Sequence, residues 1–390
     1  MNCIFIPLND IEGLVVMKKK LTIFLIVLFI AASSSCGLSI VRYQNNPAVN
    51  NSTSSTKPET DEQELWQTEV TEEENYDTDE TVLPEDYPIP EFKMIAVPAS
   101  YLKPEFIPEE IYGGYVSEGF ITEAFELAET EVTYELWFSV KVWAKANGYI
   151  FQNEGCEGSS GKAGAKPTEA KLEPVTCVSW NDCIVWLNAL SEMTGKTPVY
   201  INKDNDILRN ADEVETKTLS SYNYNMIQAK TDGYRLPEDS EWTAAARYID
   251  GTNWTYRDNA SGSSETTENV KATEEVAVFN TVKTAKVATK KPNALGIYDM
   301  SGNVFEWCYD LDYEYGQQTD SCYMYTRGGS WSVSPDIQYF SLAVGNDNYS
   351  SEIAGEGFND CGFRIARSLP LNNEHNEKEL SQPEVTDSDN

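Results

Sequence analysis

Asp299-Met-Ser-Gly-Asn-Val-Phe-Glu-Trp307 and Arg327-Gly-Gly-Ser-Trp331 decide how this chain is read. Glycines beside tryptophans, with an acid at each end of the first run, do not describe a simple helix or strand. Gly302, Gly328 and Gly329 let the backbone turn tightly or pack closely. Asp299, Asn303 and Glu306 offer oxygen ligands within eight positions. Trp307 and Trp331 supply apolar area to bury. The two runs mark the heart of a loop-rich domain, and the segment before Phe92 reads as the means of delivering that domain.

The surrounding composition fits. The chain has 390 residues, 41% hydrophobic and 12% aromatic, enough for one large core of roughly 250 residues. It carries 63 acidic against 29 basic residues, a formal net charge of -34. Nucleic acid is excluded as a partner, because phosphate binding needs a basic footprint. A weak attraction for cations is the expectation instead. The one histidine, His375, lies in the polar tail. That excludes imidazole chemistry: a serine or cysteine triad, a histidine zinc site, a facial-triad iron site. None of the eight cysteines forms a C-x-x-C pair, so a zinc ribbon has no support.

At the N-terminus Lys18-Lys19-Lys20 precedes the apolar run Leu21 to Ala32, and Ser33-Ser34-Ser35-Cys36 follows. A basic patch, a short apolar core and small residues make an export signal over 1–36, with Met17 as an alternative start. The region resembles a bacterial lipoprotein signal in which Cys36 is lipidated, although Ser33 stands where that signal favours leucine. Residues 37–91 have the composition of a disordered acidic tether, with no Lys or Arg from Glu59 to Glu91. Tyr87-Pro-Ile-Pro90 stiffens its end. Residues 370–390 read as a disordered charged tail.

Between tether and tail, 92–369 reads as one domain. Phe92 to Pro98 and Gly119 to Phe125 are expected as strands. Thr133 caps a helix over Tyr134 to Ala146, where Trp137, Val140, Trp143 and Ala144 recur at helical spacing. Residues 152–173 are a glycine-rich loop containing Cys156. Pro174 to Trp180 reads as a short buried strand, capped at Ser179 or Asn181 into a helix that ends before Gly195. Cys177 and Cys183 form a disulfide or remain two buried thiols. Asp204-Asn-Asp206 lacks EF-hand spacing and reads as a polar turn. Pro237 and the acids after it open a helix to Arg247, with Arg247 a structural ion-pair partner. Val276 to Asn280 is expected as a short strand and Cys361 to Arg367 as the final one. Cys308, Cys322 and Cys361 read as structural.

One ordered set of motifs carries a family resemblance: Gly233-Tyr-Arg-Leu-Pro237, Glu241-Trp242, Pro292-Asn-Ala-Leu-Gly-Ile-Tyr298, Gly302-Asn-Val-Phe-Glu-Trp307, Arg327-Gly-Gly-Ser-Trp331 and Gly362-Phe-Arg364. Together they resemble the sulfatase-modifying-factor domain of formylglycine-generating enzymes, across roughly 92–369. The resemblance implies a loop-rich α+β fold with small sheets, related to C-type lectins. The enzymes oxidise a cysteine to formylglycine with oxygen and copper held by two cysteines. Those positions fall on Val333 and Gln338, and no cysteine lies between Cys322 and Cys361. Copper(I) favours thiolates, so copper and its oxidation are not expected, although Ser330 matches the active-site serine. The family's calcium loop falls on Asp299, the carbonyls of Gly302 and Val304, and Glu306, a hard-oxygen set suited to calcium. A second calcium site, beginning at Asn280 and Thr281, lacks its acidic loop and is not expected.

The function expected is a tethered, non-catalytic ligand-binding protein. Residues 332–357 lie where the family forms its active-site rim, and some surface lipoproteins of the family diversify this segment. Ser330, Tyr339, Phe340, Asn346, Asp347, Asn348 and Tyr349 are the expected ligand surface, since tyrosines and asparagines make adaptable contacts at modest entropy cost. The expected ligand is a protein or a glycan. The alternatives are an oxidoreductase of the family or another divergent enzyme, and a structural envelope protein.

Overall fold

The computed structural model describes residues 86–106, 116–117, 119–214, 226–311, 322–334, 339–345 and 350–369. The expected signal with Cys36, the tether up to residue 85 and the tail from 370 lie outside the described residues. In chain order the elements are β1 (Met94–Val97), β2 (Ser100–Leu102), β3 (Glu105–Phe106), β4 (Val116–Ser117), β5 (Phe120–Thr122), β6 (Phe125–Ala128), α1 (Tyr134–Ala146), β7 (Cys156–Glu157), β8 (Val175–Thr176) and α2 (Trp180–Met193). Then come β9 (Tyr200–Asn202), β10 (Met226–Gln228), β11 (Tyr234–Arg235), α3 (Asp239–Arg247), α4 (Val270–Glu274), β12 (Phe305–Leu311), β13 (Tyr323–Arg327), β14 (Ser350–Ile353), β15 (Cys361–Gly362) and β16 (Ala366–Ser368).

The helices start where capping chemistry places them. Thr133 accepts a hydrogen bond from the Leu136 N–H at 3.3 Å, satisfying one orphan donor of α1. Glu135 in the first turn and Lys145 in the last suit the helix dipole. Ser179 and Asp182 close a reciprocal capping box on α2. Glu238 and Glu241 do the same for α3, just after Pro237.

The core lies between α1 and α2. Trp137 and Trp186 stack at 5.7 Å, and Phe363 meets both edge-on. Each indole N–H finds a backbone carbonyl: Trp137 donates to Glu154, Trp186 to Trp137, Trp180 to Cys308 and Trp307 to Val178. Area is buried here without stranding a polar group. Trp331, expected to share the burial, is only half-buried and donates to the Asn359 carbonyl at 3.4 Å.

Two four-stranded sheets frame the core. The first runs β1-β6-β16-β11, antiparallel throughout; the second runs β14-β13-β12-β15, with β12 and β15 parallel. Two expected strands divide between sheets. Gly119 to Phe125 breaks at Glu123, so that β5 pairs with β2 while β6 joins β1. Cys361 to Arg367 breaks after Gly362, so that β15 lies on β12 while β16 lies on β6. Phe363, Arg364 and Ile365 cross from one sheet to the other and are all buried. Val276 to Asn280 contributes only a bridge from Val278 to Gly302. Before it, Asn269 accepts from the Ala272 N–H and starts the short helix α4. Asp204 to Asp206 is the expected turn, tied by the N–H groups of both aspartates to the Asn202 side chain.

Candidate functional site

The central run is half turn and half strand. Asp299 (φ 57°), Gly302 (φ 80°) and Asn303 (φ 63°) are left-handed, and β12 begins two residues later. Gly302 is required, because a Cβ there would lie 2.3 Å from the Val278 carbonyl oxygen. These turns aim the run's carboxylates into the protein.

Glu306 is fully buried and fully engaged. Arg364 grips it bidentately, Nε to Oε2 at 2.6 Å and Nη2 to Oε1 at 2.5 Å. Trp242 Nε1 donates to Oε2 at 2.8 Å. The remaining Arg364 donors reach the carbonyls of Ala128 and Tyr298. Glu306 was expected as a metal ligand; the structure places it first in a buried ion pair. The geometry is that of a planar fork on a carboxylate, which makes such pairs strong and directional.

Glu131, which the sequence reading passed over, joins this hub. Its carboxylate accepts from Asn303 Nδ2 at 2.6 Å and from the Val304 N–H at 3.2 Å. Burial raises its pKa well above the usual carboxylate range, and the charges of Asp299 and Glu306 add to this. Asp299 is pushed up to about 6, mainly by burial. Its Oδ2 accepts from the Ala288 N–H at 2.7 Å, while Oδ1 is buried with no hydrogen-bond partner. Three carboxylates thus share one guanidinium. Among the described residues no three Asp, Glu, His or Cys side chains are arranged to hold a metal.

The family's reactive corner is built differently. Ser330 was expected at a ligand surface, yet it is fully buried. Its hydroxyl lies 3.0 Å from the Ser332 hydroxyl and 3.4 Å from Asp360 Oδ2. Val333, at the first copper-ligand position, is wholly buried with Ala260, Val276, Ala277, Phe279 and Leu342. An apolar cluster fills the place of a thiolate. Tyr339 and Phe340 open a short 3₁₀ turn to Leu342; their side chains, and Asn346, Asp347, Asn348 and Tyr349, lie outside the described residues. Elsewhere, a cleft of about 620 Å³ between β5, β11 and α3 is lined by Ile121, Glu123, Lys230, Asp232 and Glu238 among others, and by none of the described residues of 330–357.

The six described cysteines are all free thiols. Cys177 and Cys183 are not joined: Cys183 is fully buried within α2, and Cys177 turns toward Cys156 instead. Cys308, Cys322 and Cys361 are likewise buried and unlinked.

The motifs and geometry find their counterpart among known proteins. Residues 115–369 match the sulfatase-modifying factor enzyme 1-like domain, and the chain belongs to that family. It is 30% identical over 227 residues to the chaperone protein LppX of Paenibacillus barcinonensis, covering 53% of this chain and 74% of that one. The solved structure of CarF superposes with a TM-score of 0.55 at 25% identity, covering 72% of this chain and 99% of its own. Variable protein 1 of Treponema denticola gives 0.51 at 24% identity, over 71% of this chain and 95% of its own, and shares the fold. The α+β architecture with small sheets is that of the family. The family's copper pair is absent, since neither Val333 nor Gln338 is a thiol.

Proposed function

We propose that this protein is a non-catalytic ligand-binding domain, held at a bacterial cell envelope by a lipid on Cys36, with a protein or glycan as its ligand. The observation that carries this reading is Val333, fully buried in an apolar cluster where the family's enzymes need a metal-binding thiolate. A valine supplies no soft ligand. The likeness to a protein described as a chaperone favours a polypeptide over a glycan. The C-type-lectin kinship implied by the family belongs to the same reading, as a scaffold that presents loops. The segment 332–357 supplies those loops, with Tyr339, Phe340, Asn346, Asp347, Asn348 and Tyr349 as contacts.

Calcium is part of the proposal. Asp299, the carbonyls of Gly302 and Val304, and Glu306 would hold it, which requires Glu306 to exchange part of its Arg364 grip for the ion. The unpartnered Asp299 Oδ1 and the excess of three carboxylates over Arg364 suit a cation. The ion would supply positive charge to a buried cluster and brace the turn that precedes β12. Equilibrium dialysis is expected to find one calcium per chain and a chelator to lower the melting temperature; no bound calcium and an unmoved melt would remove the ion from the account.

Protein and glycan arrays probed with the full chain test the binding reading. Signal on protein spots, lost in a Tyr339→Ala, Tyr349→Ala variant, is expected. Signals that are equal in the two chains, or background in both, would contradict it.

A further inference from the structure

Cys156 and Cys177 come together through an irregularity in the backbone. Cys156 lies opposite Thr176 in the β7–β8 ladder. Strict alternation would turn the next residue, Cys177, to the other face. Its φ of 55° is left-handed instead, a conformation that non-glycine residues rarely adopt. The turn leaves Cys177 beside Cys156, the residue paired with its chain neighbour Thr176, and each thiol perturbs the ionisation of the other. The irregular turn is held from outside. The Cys177 N–H donates to the Phe358 carbonyl at 2.8 Å. Gly357 sits so close that a Cβ there would fall 2.7 Å from the Cys177 carbonyl carbon.

The two thiols are unequal in the way that thiol–disulfide exchange requires. Cys177 is partly exposed and Cys156 buried. The neighbouring Cys156 thiol draws the Cys177 thiol down to about 7, against its burial and the nearby charge of Asp360, while Thr176 donates a hydrogen bond to its sulfur. Cys156 is pushed the other way, first by the Cys177 thiol and then by burial, with Lys141 opposing. Attacking thiols are accessible and acidified; inert ones are buried and raised. Cys183, Cys308 and Cys361 belong to the second kind, each pushed well up by burial.

We propose that Cys156 and Cys177 are a redox dithiol, which external disulfides convert to an intramolecular disulfide joining β7 to β8. The Cys177 thiolate attacks one sulfur of the donor disulfide, forming a mixed disulfide and expelling one donor thiolate. Cys156 gives up its proton and attacks the Cys177 sulfur, expelling the second. The donor is reduced to two thiols, which take up the two protons, and the pair is oxidised by two electrons. The bridge closes the loop that carries Glu173, whose carboxylate holds Lys283 and Thr284. It also pins the 357–360 segment, whose Asp360 reaches Ser330 and Ser332.

The test treats the reduced full chain with glutathione disulfide, then digests it without reductant. Trypsin cuts after Lys162 and Lys171, so a bridge joins two separate peptides. The expected result is one Cys156–Cys177 cross-link, a loss of two alkylatable thiols, and a melting temperature about 3 °C higher. In Cys156→Ser, a glutathione adduct should accumulate at Cys177 at least tenfold faster than at Cys308 or Cys361. In Cys177→Ser, Cys156 should take up none. Persistence of both thiols in the wild type, a link from Cys177 to any other cysteine, or retention of one thiophilic metal ion by the pair would each overturn the proposal. If Cys156→Ser does not fold, the wild-type cross-link decides.

Discussion

The hub around Glu306 and the corner around Ser330 lie on two runs tied together by the Gly302 N–H on the Gly328 carbonyl and the Trp331 N–H on the Asn303 carbonyl, yet they carry different chemistry. At the hub the polar atoms are dense and paired: a bidentate Arg364–Glu306 grip, an indole N–H on the same carboxylate, and Asn303 spanning to Glu131. At the corner two hydroxyls face one carboxylate, and an apolar cluster sits where a metal would be bound. The hub builds the fold, because it ties the chain's last crossing to the central run. At the corner, the position that holds a metal-binding thiolate in the family's enzymes serves packing. A family motif can therefore persist for its architecture after its reactive atoms have gone.

Arg364→Met should break the comparison most violently. It strands Glu306 in the core beside Glu131 and Asp299, and removing one partner of a buried pair costs about 3–5 kcal/mol. Urea unfolding reads this directly, and a loss under about 1 kcal/mol would mean the hub is not structural. Gly302→Ala comes next, at about 2 kcal/mol, because its Cβ meets the Val278 carbonyl and its φ is left-handed; the same urea titration measures it.

A pH series sharpens the hub's edge. Burial raises Asp310 to about 7, with the Asp239 N–H opposing and the charges of Asp239, Glu238 and Glu241 adding to the rise. A carboxyl with a raised folded pKa holds more protons folded than unfolded. Its contribution therefore weakens as pH rises from about 4 through 7. Asp310→Asn should gain on the wild type over that window by about 1–2 kcal/mol, trimmed by the residue's partial exposure. A difference that stays flat from pH 4 to 7 would show that Asp310 is not held protonated. At the corner, Ser330→Ala should change stability least, by under about 1 kcal/mol, and chemical denaturation should place it below every hub variant.

Much of this could be read from local sequence. Thr133 and Ser179 announce their helices because capping is a matter of a few neighbouring atoms, and the stripe through Trp137 follows from helical period alone. What escaped the reading is long-range. Glu306 and Arg364 lie 58 positions apart, and nothing local says that a carboxylate expected on a cation is already claimed by an arginine. Glu131 offered only its place before a capped helix. The sequence leaves Cys177 and Cys183 as a disulfide or two buried thiols, whereas the neighbour of Cys177 depends on a left-handed backbone that no residue type at that position advertises. The run from Cys361 to Arg367 looks like one strand because its apolar content is continuous; it serves two sheets because Phe363 and Arg364 are each drawn to a different partner.

The scaffold stands without the thiol pair on which its family's oxidation chemistry depends. The copper-loaded full chain, given a cysteine-containing peptide in oxygenated buffer, tests it in one measurement. Mass spectrometry is expected to find the peptide's cysteine unchanged relative to a protein-free control; oxygen-dependent conversion of that cysteine to formylglycine would make the protein an enzyme and contradict the account.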